Sequence, residues 1–206
     1  ITTLGSQTYN GTATLTGNTT LAGTSLSLAS GVDGGAGGNS LGLNFTNTTA
    51  LDGNFVNLTD LSSEGNVTLN GSITTSGTQT YNGTATLAGN TTLVGTSLSL
   101  SSGVEGATKN LVLNFSQTTA LSNGFANITD LTSEGNVTLS GPITTLGSQT
   151  YNGTATLTGN TSLVGTSLSL ASGVEGASKN LALNFSQTTA LDGDFANITD
   201  LSSEGN

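Results

Sequence analysis

Apolar residues in this chain alternate with Thr or Ser over short stretches and then give way to Gly or Asn. Ala13 and Leu15 share a face in "TATL", Leu26 and Leu28 in "SLSL", and Leu41, Leu43 and Phe45 in "LGLNF". Val67 and Leu69 in "NVTL" follow the same rule. A period of two predicts β-strands, and Thr on the opposite side suits a half-exposed sheet. The pairs Asn10-Gly11, Gly17-Asn18, Ser30-Gly31, Gly65-Asn66 and Asn70-Gly71 carry turn chemistry between the strands. Gly, Thr, Ser and Asn dominate the composition and are poor helix interiors, so the prediction is all-β.

The pattern is written three times. Ile1, Ile73 and Ile143 open equivalent units, giving repeat units 1–72, 73–142 and a truncated 143–206. The last 64 residues match residues 73–136 at 53 positions, and the third copy stops at Asn206, where the others continue into "NVTL". That reads as a slice of a longer protein, with no initiator Met, signal peptide or transmembrane run in it. Repetition at a fixed period builds length more readily than it builds one asymmetric reactive site.

Two architectures fit: tandem small β-sandwich beads, or one continuous parallel β-solenoid whose rungs pair edge to edge. The strands are short, no Cys-Trp-Cys core is present, and "GNVTLNGSITT" runs strand, turn, strand through the first junction. These favour the solenoid. A unit of about 70 residues then divides into three rungs of about 23, here 73–95, 96–121 and 122–142. At about 4.8 Å per rung the chain makes about nine rungs over about 40 Å. Pairing through Ser72–Ile73 and Pro142–Ile143 requires Pro142 to lie at a turn or rung corner. Ladders of Leu, Val, Ile and Ala fill the interior. Phe45, Phe115 and Phe185 form one recurring plug, and Phe55, Phe125 and Phe195 another. Tyr9, Tyr81 and Tyr151 precede Asn-Gly turns and are expected at corners with their hydroxyls in water.

Composition narrows the functional classes. Twelve acids against Lys109 and Lys179 give a net charge of −10, which argues against nucleic acid and against docking on anionic lipid. No membrane insertion is expected. With no Cys there is neither a disulfide framework nor a thiolate metal site. Scarce Lys and Arg leave a trypsin-like protease little to cut, which suits life outside a cell.

The phrase "ITTSGTQTYNGTATLAGNTTL" at 73–93, followed by "GVEGATKNLVLNF" at 103–115, resembles the repeats of large filamentous-haemagglutinin-like bacterial adhesins exported by two-partner secretion. The phrases stand in the same order in every unit, except that the first has the longer "GVDGGAGGNSLGLNF". The resemblance implies a right-handed parallel β-solenoid (β-helix), secretion to the cell surface or extracellular space, and a part in adhesion, matrix or biofilm cohesion. It carries no catalytic or binding residue to this chain.

The repeated "TDLSSEG", written "TDLTSEG" in the second unit, offers the nearest thing to a chemical site: Asp60 with Glu64, Asp130 with Glu134, Asp200 with Glu204. Carboxylates and turn carbonyls are calcium ligands, but neither the EF-hand spacing nor the GGxGxD pattern is present. Turn carboxylates that cap local amides are the favoured reading, and calcium the weaker one. Asp33, Glu105 and Glu175 in "GVDG" or "GVEG" are read alike. "GVDGGAGGNS" lacks the Lys of a phosphate-binding loop and reads as an insertion in an outer turn. Sequons, among them Asn18, Asn57, Asn66, Asn127 and Asn136, leave bare and glycosylated surfaces equally open.

The leading expectation is therefore structural and not enzymatic, with no cofactor. It is a stalk or fibre segment whose partners are further copies of the same repeat, end to end or side by side. The alternative is a module binding surface polysaccharide through Thr-rich faces, motivated by "TAT" at 12–14, 84–86 and 154–156. Once per unit, these triplets would stand about 14 Å apart on three rungs of 4.8 Å, which is sparse for a lattice.

Overall fold

The computed structural model describes residues 1–122 and 124–205. They form two compact units, residues 1–102 and 103–206. Each is a parallel β-solenoid with three faces, built from strands of 2 to 12 residues, the longer of which run through corners with a shift in register. Parallel ladders between successive turns replace the antiparallel pairing that sandwich beads would need.

In the first unit, one stack of inward residues runs Gln7, Leu26, Thr49, Val67 and Ala85. A second runs Ala13, Val32, Phe55, Ile73 and Leu93. The third runs Leu21, Leu43, Ser63, Tyr81 and Leu100. The second unit repeats the plan. Its stacks run Val104, Phe125, Ile143, Leu163 and Leu183; then Leu113, Ser133, Tyr151 and Leu170; then Thr119, Val137, Ala155 and Val174. Alternation aims these side chains inward and the intervening Thr and Ser outward.

The expected three rungs per unit are not what forms. Partners lie as few as 18 positions apart, as in Thr49 with Val67, and as many as 23, as in Val32 with Phe55. Between Gln7 and Gln79 the chain advances through eleven faces, which is three turns and two further faces. Gln7 therefore belongs to the first stack, whereas its counterpart Gln79 lines the Tyr81 stack. The second unit shows the same step: Val104 stacks with Phe125 and Ile143, but its counterpart Val174 stacks with Ala155 and Val137. One sequence phrase thus serves different faces in successive repeats.

Both repeat junctions fall inside strands. Val67–Thr75 runs through Ser72–Ile73, and Val137–Thr145 through Pro142–Ile143. Pro142 is exposed within that strand, opposite Ser162. It follows Gly141 at φ +77°, beside a shift in register, so it stands at a corner, one of the two places expected, with the strand running through it. The Phe plugs sit as expected: Phe45, Phe115, Phe185, Phe55 and Phe125 are buried, with Phe195 half-buried. Space for one ring comes from a missing side chain, since a Cβ on Gly165 would lie 3.0 Å from the Phe185 ring.

Candidate functional site

Polar groups inside the solenoid are the first departure from a plain apolar core. Gln79 and Gln149 are wholly buried, and each carries its Tyr partner two residues on, on the same face. Gln79 Nε2 donates to the carbonyls of Ile73 (3.0 Å) and Val94 (2.8 Å), while the Tyr81 hydroxyl donates to Gln79 Oε1 at 3.0 Å. Gln149 does the same with Ile143, Val164 and Tyr151. The amide thus satisfies carbonyls at a corner and the hydroxyl completes the amide, as burial demands. The tyrosine hydroxyls were expected in water, but Tyr81 and Tyr151 are fully enclosed, and that burial raises both phenols above their ordinary pKa. The clue was the alternation in "SQTY", which puts Gln and Tyr on one side. Thr49 Oγ1 is the one buried polar side-chain atom among the described residues without a hydrogen bond.

The carboxylates of "TDLSSEG" are separated by their partners. Asp60 Oδ1 accepts the Thr78 amide at 2.8 Å, and Oδ2 accepts the Ser40 hydroxyl at 3.1 Å. Asp130 accepts both the amide and the hydroxyl of Ser148. These amides lie 18 positions on, in the next turn, so the expected local caps are instead staples between turns. Glu64 and Glu134 accept from the side chains of Asn82 (2.9 Å) and Asn152 (2.7 Å), and Glu204 from Asn184 (3.4 Å). Asp200 faces a groove described below. Among the described residues no three acidic side chains gather in one place.

The bend after "GV" caps locally as well as between turns. Asp33 Oδ1 accepts the Gly35 amide (2.8 Å) and the Asn57 side chain (3.0 Å). Those two bonds, the Asn57 one foremost, hold the Asp33 carboxyl below its ordinary pKa. Glu105 pairs likewise with Ala107 and Asn127, and Glu175 with Ala177 and Asn197. Asn57, Asn127 and Asn197 all stand in the left-handed region, at φ +55°, +55° and +54°, which Asn tolerates better than most residues.

Outward rows that are hydroxyl at all but one place, Ala50 in one and Gly42 in the other, are denser than the once-per-unit triplets suggested. Thr8, Ser27, Ala50, Thr68 and Thr86 follow one another turn by turn. On another face the row is Thr20, Gly42, Ser62, Thr80 and Ser99. Different phrases supply successive places, so the row repeats at the strand spacing of about 4.8 Å and not at 14 Å. Two groups stand out among the sequon residues on this surface. Asn18, Asn66, Asn136 and Asn160 accept a backbone amide of the next turn through Oδ1. Asn57, Asn82, Asn127, Asn152 and Asn197 donate Nδ2 to a carboxylate.

Concavities are shallow. One of about 410 Å³ lies beside Gly35–Gly38 and is lined by Asn57, Leu58 and Thr74–Ser76, with no titratable side chain. No helix among the described residues is long and apolar enough to cross a membrane. Comparison with protein-family models, with curated proteins and with solved structures found no match.

Proposed function

We propose that the chain is a structural segment, a stalk or fibre element, of a secreted cell-surface adhesin or extracellular-matrix protein that serves attachment or cell–cell cohesion. It does so without catalysis. The observation that carries this reading is the eleven-face repeat. A machine that needs one aligned face would keep like phrases in register. Here Gln7 and Gln79 take different faces, and so do Val104 and Val174. What every copy does supply is another stretch of paired turns, held by the same corner bonds. Further copies of the repeat are its natural neighbours, end to end or side by side. The resemblance to filamentous-haemagglutinin-like adhesins agrees with this use. Immunogold labelling of intact source cells, with antibody raised to this segment, tests it. Thin surface projections carrying the label support the reading, and label confined to the cytoplasm overturns it.

A second reading keeps one specific observation in its favour. Outward hydroxyls at most turns, broken by Ala50 in one row and by Gly42 in the other, give two faces a near-periodic polar surface, which suits a module that binds surface polysaccharide. Retention on insoluble glycans by the isolated segment tests that reading separately from the first.

A further inference from the structure

Two grooves, one in each unit, are built from corresponding residues of the first and third repeats. In the first unit Thr20, Gly42 and Ser62 form the floor, and Asn18, Ser40 and Asp60 the wall, of a groove of about 260 Å³. In the second, Ser162, Ala182 and Ser202 form the floor, and Asn160, Asn180 and Asp200 the wall, of one of about 360 Å³. What opens both is a small residue in the middle of the floor. Gly42 has no side chain and Ala182 only a methyl, whereas the second repeat has Val112 at that place in "LVLNF".

The walls are oriented by their own bonds. The Ser40 amide donates to Asn18 Oδ1 at 3.0 Å, and the Asn180 amide to Asn160 Oδ1 at 3.1 Å. Each carboxamide therefore turns its NH2 group, two donors, away from that bond. Asp60 is held by Thr78 and Ser40, one donor to each oxygen, and each oxygen keeps further acceptor capacity. No cation lines either groove, and the chain carries −10 with only two lysines. A ligand that fits must be positively charged, rich in hydroxyls, and flat enough on one side for a floor of small side chains. A sugar ring with a free amine has those features: its C–H face meets the floor, its hydroxyls meet Asn, Ser and Thr, and its ammonium meets the carboxylate.

We propose that these grooves bind amino-sugar units with a free ammonium, as in a deacetylated glucosamine-type surface polysaccharide, with Asp60 and Asp200 as the ammonium acceptors. This sharpens the polysaccharide reading above and rests on it; it stands whether or not the chain is also a stalk. The second groove lacks the Ser40 hydroxyl and has Asn180 in its place, which offers the sugar a carboxamide instead.

Calorimetric titration of the whole chain with glucosamine hexamer, N-acetylglucosamine hexamer and cellohexaose, in mildly acidic low-salt buffer, tests it. The free-amine hexamer alone binds, and it weakens at least tenfold as salt rises to about 0.5 M. The double variant D60N/D200N weakens it at least tenfold. So does G42V/A182V, which fills the floors while leaving the carboxylates. A Cβ at Gly42 meets ordinary contacts, the nearest being Thr20 Oγ1 at 3.4 Å, and the second repeat carries Val112 at the same place. Unchanged circular dichroism confirms the fold of each variant, and E105Q, away from both grooves, binds like the parent. Equal binding of the neutral hexamers overturns the amino-sugar assignment while leaving the broader polysaccharide reading. Binding of none overturns both. Loss in E105Q as large as in D60N/D200N shows diffuse charge attraction and overturns the site.

Discussion

The bend after "GVD" in the first repeat and the bend after "GVE" in the third do the same work by different means. Both end in a carboxylate that accepts an amide two residues on and an Asn side chain from the next turn. The first bend is two residues longer and places Gly35 and Gly38 at φ +78° and +64°. The third places Ala177 and Ser178 at φ +45° and +60°, where a side chain is strained. One bend adopts the left-handed region freely through glycine; the other is shorter and carries strain. The carboxylate–Asn link between turns is therefore the constant, and the chain between its ends is adjustable.

The largest effect should come where the two bends agree. A Cβ on Gly34 would lie 2.0 Å from the Asn57 carbonyl oxygen, and one on Gly176 2.5 Å from Ile198 Cα. Both contacts are with backbone, which cannot yield cheaply. Gly34→Ala and Gly176→Ala should each cost about 3 kcal/mol in denaturant unfolding. Near-neutral behaviour at either site would break the equivalence of the two bends. Next, the bends should part company. Gly35→Ala adds a Cβ at positive φ and 2.5 Å from the Leu15 carbonyl oxygen, and should cost about 2 kcal/mol, whereas Ala177→Gly should stabilise by up to about 1 kcal/mol. A loss of stability in Ala177→Gly would mean that the strain assigned to the third bend is absent.

A smaller effect, about 1 kcal/mol, is expected for Asn57→Ala and for Asn197→Ala, since each loses an exposed charge-assisted bond and the residue type best suited to its backbone. Thermal melts that show a loss in only one of the pair would separate the bends again. The smallest signal is the titration of Asp33. Its folded pKa is depressed, so its contribution to stability is present above the unfolded value near 3.9 and is lost as pH falls through the folded value. Carboxyl carbon shifts followed by NMR should show Asp33 ionised below that ordinary value, and Asn57→Ala should bring its midpoint back up.

Much of the fold was legible because alternation is local. "SLSL", "LGLNF" and "NVTL" announce their inward faces without reference to any other part of the chain, and the Phe plugs follow. The length of a turn was not legible, because all three faces accept the same apolar letters. Val67 stacks between Thr49 and Ala85, and Val137 between Thr119 and Ala155, so sliding a phrase to a neighbouring face costs the core nothing that the sequence records. The staples went unseen for a related reason: Asp60 meets the Thr78 amide only once the turn has its true length. Gln79 was hidden by its polarity, since an amide inside a core becomes sensible only with the Ile73 and Val94 carbonyls beside it. The grooves needed both the stacking of Gly42 between Thr20 and Ser62 and the run of wall residues beside them.

Turn length sets each phrase on its face, and the absence of native cysteine makes that length directly testable. Ser62 and Thr80 are partners on neighbouring turns, 18 positions apart, at the separation a disulfide can span. A turn of about 23 residues would bring Asn57, not Ser62, beside Thr80. Mild oxidation of the folded S62C/T80C variant, read by peptide mass mapping, should give near-complete intramolecular disulfide, with N57C/T80C remaining reduced. The opposite pattern, a disulfide in N57C/T80C and none in S62C/T80C, would rule out the 18-residue turn.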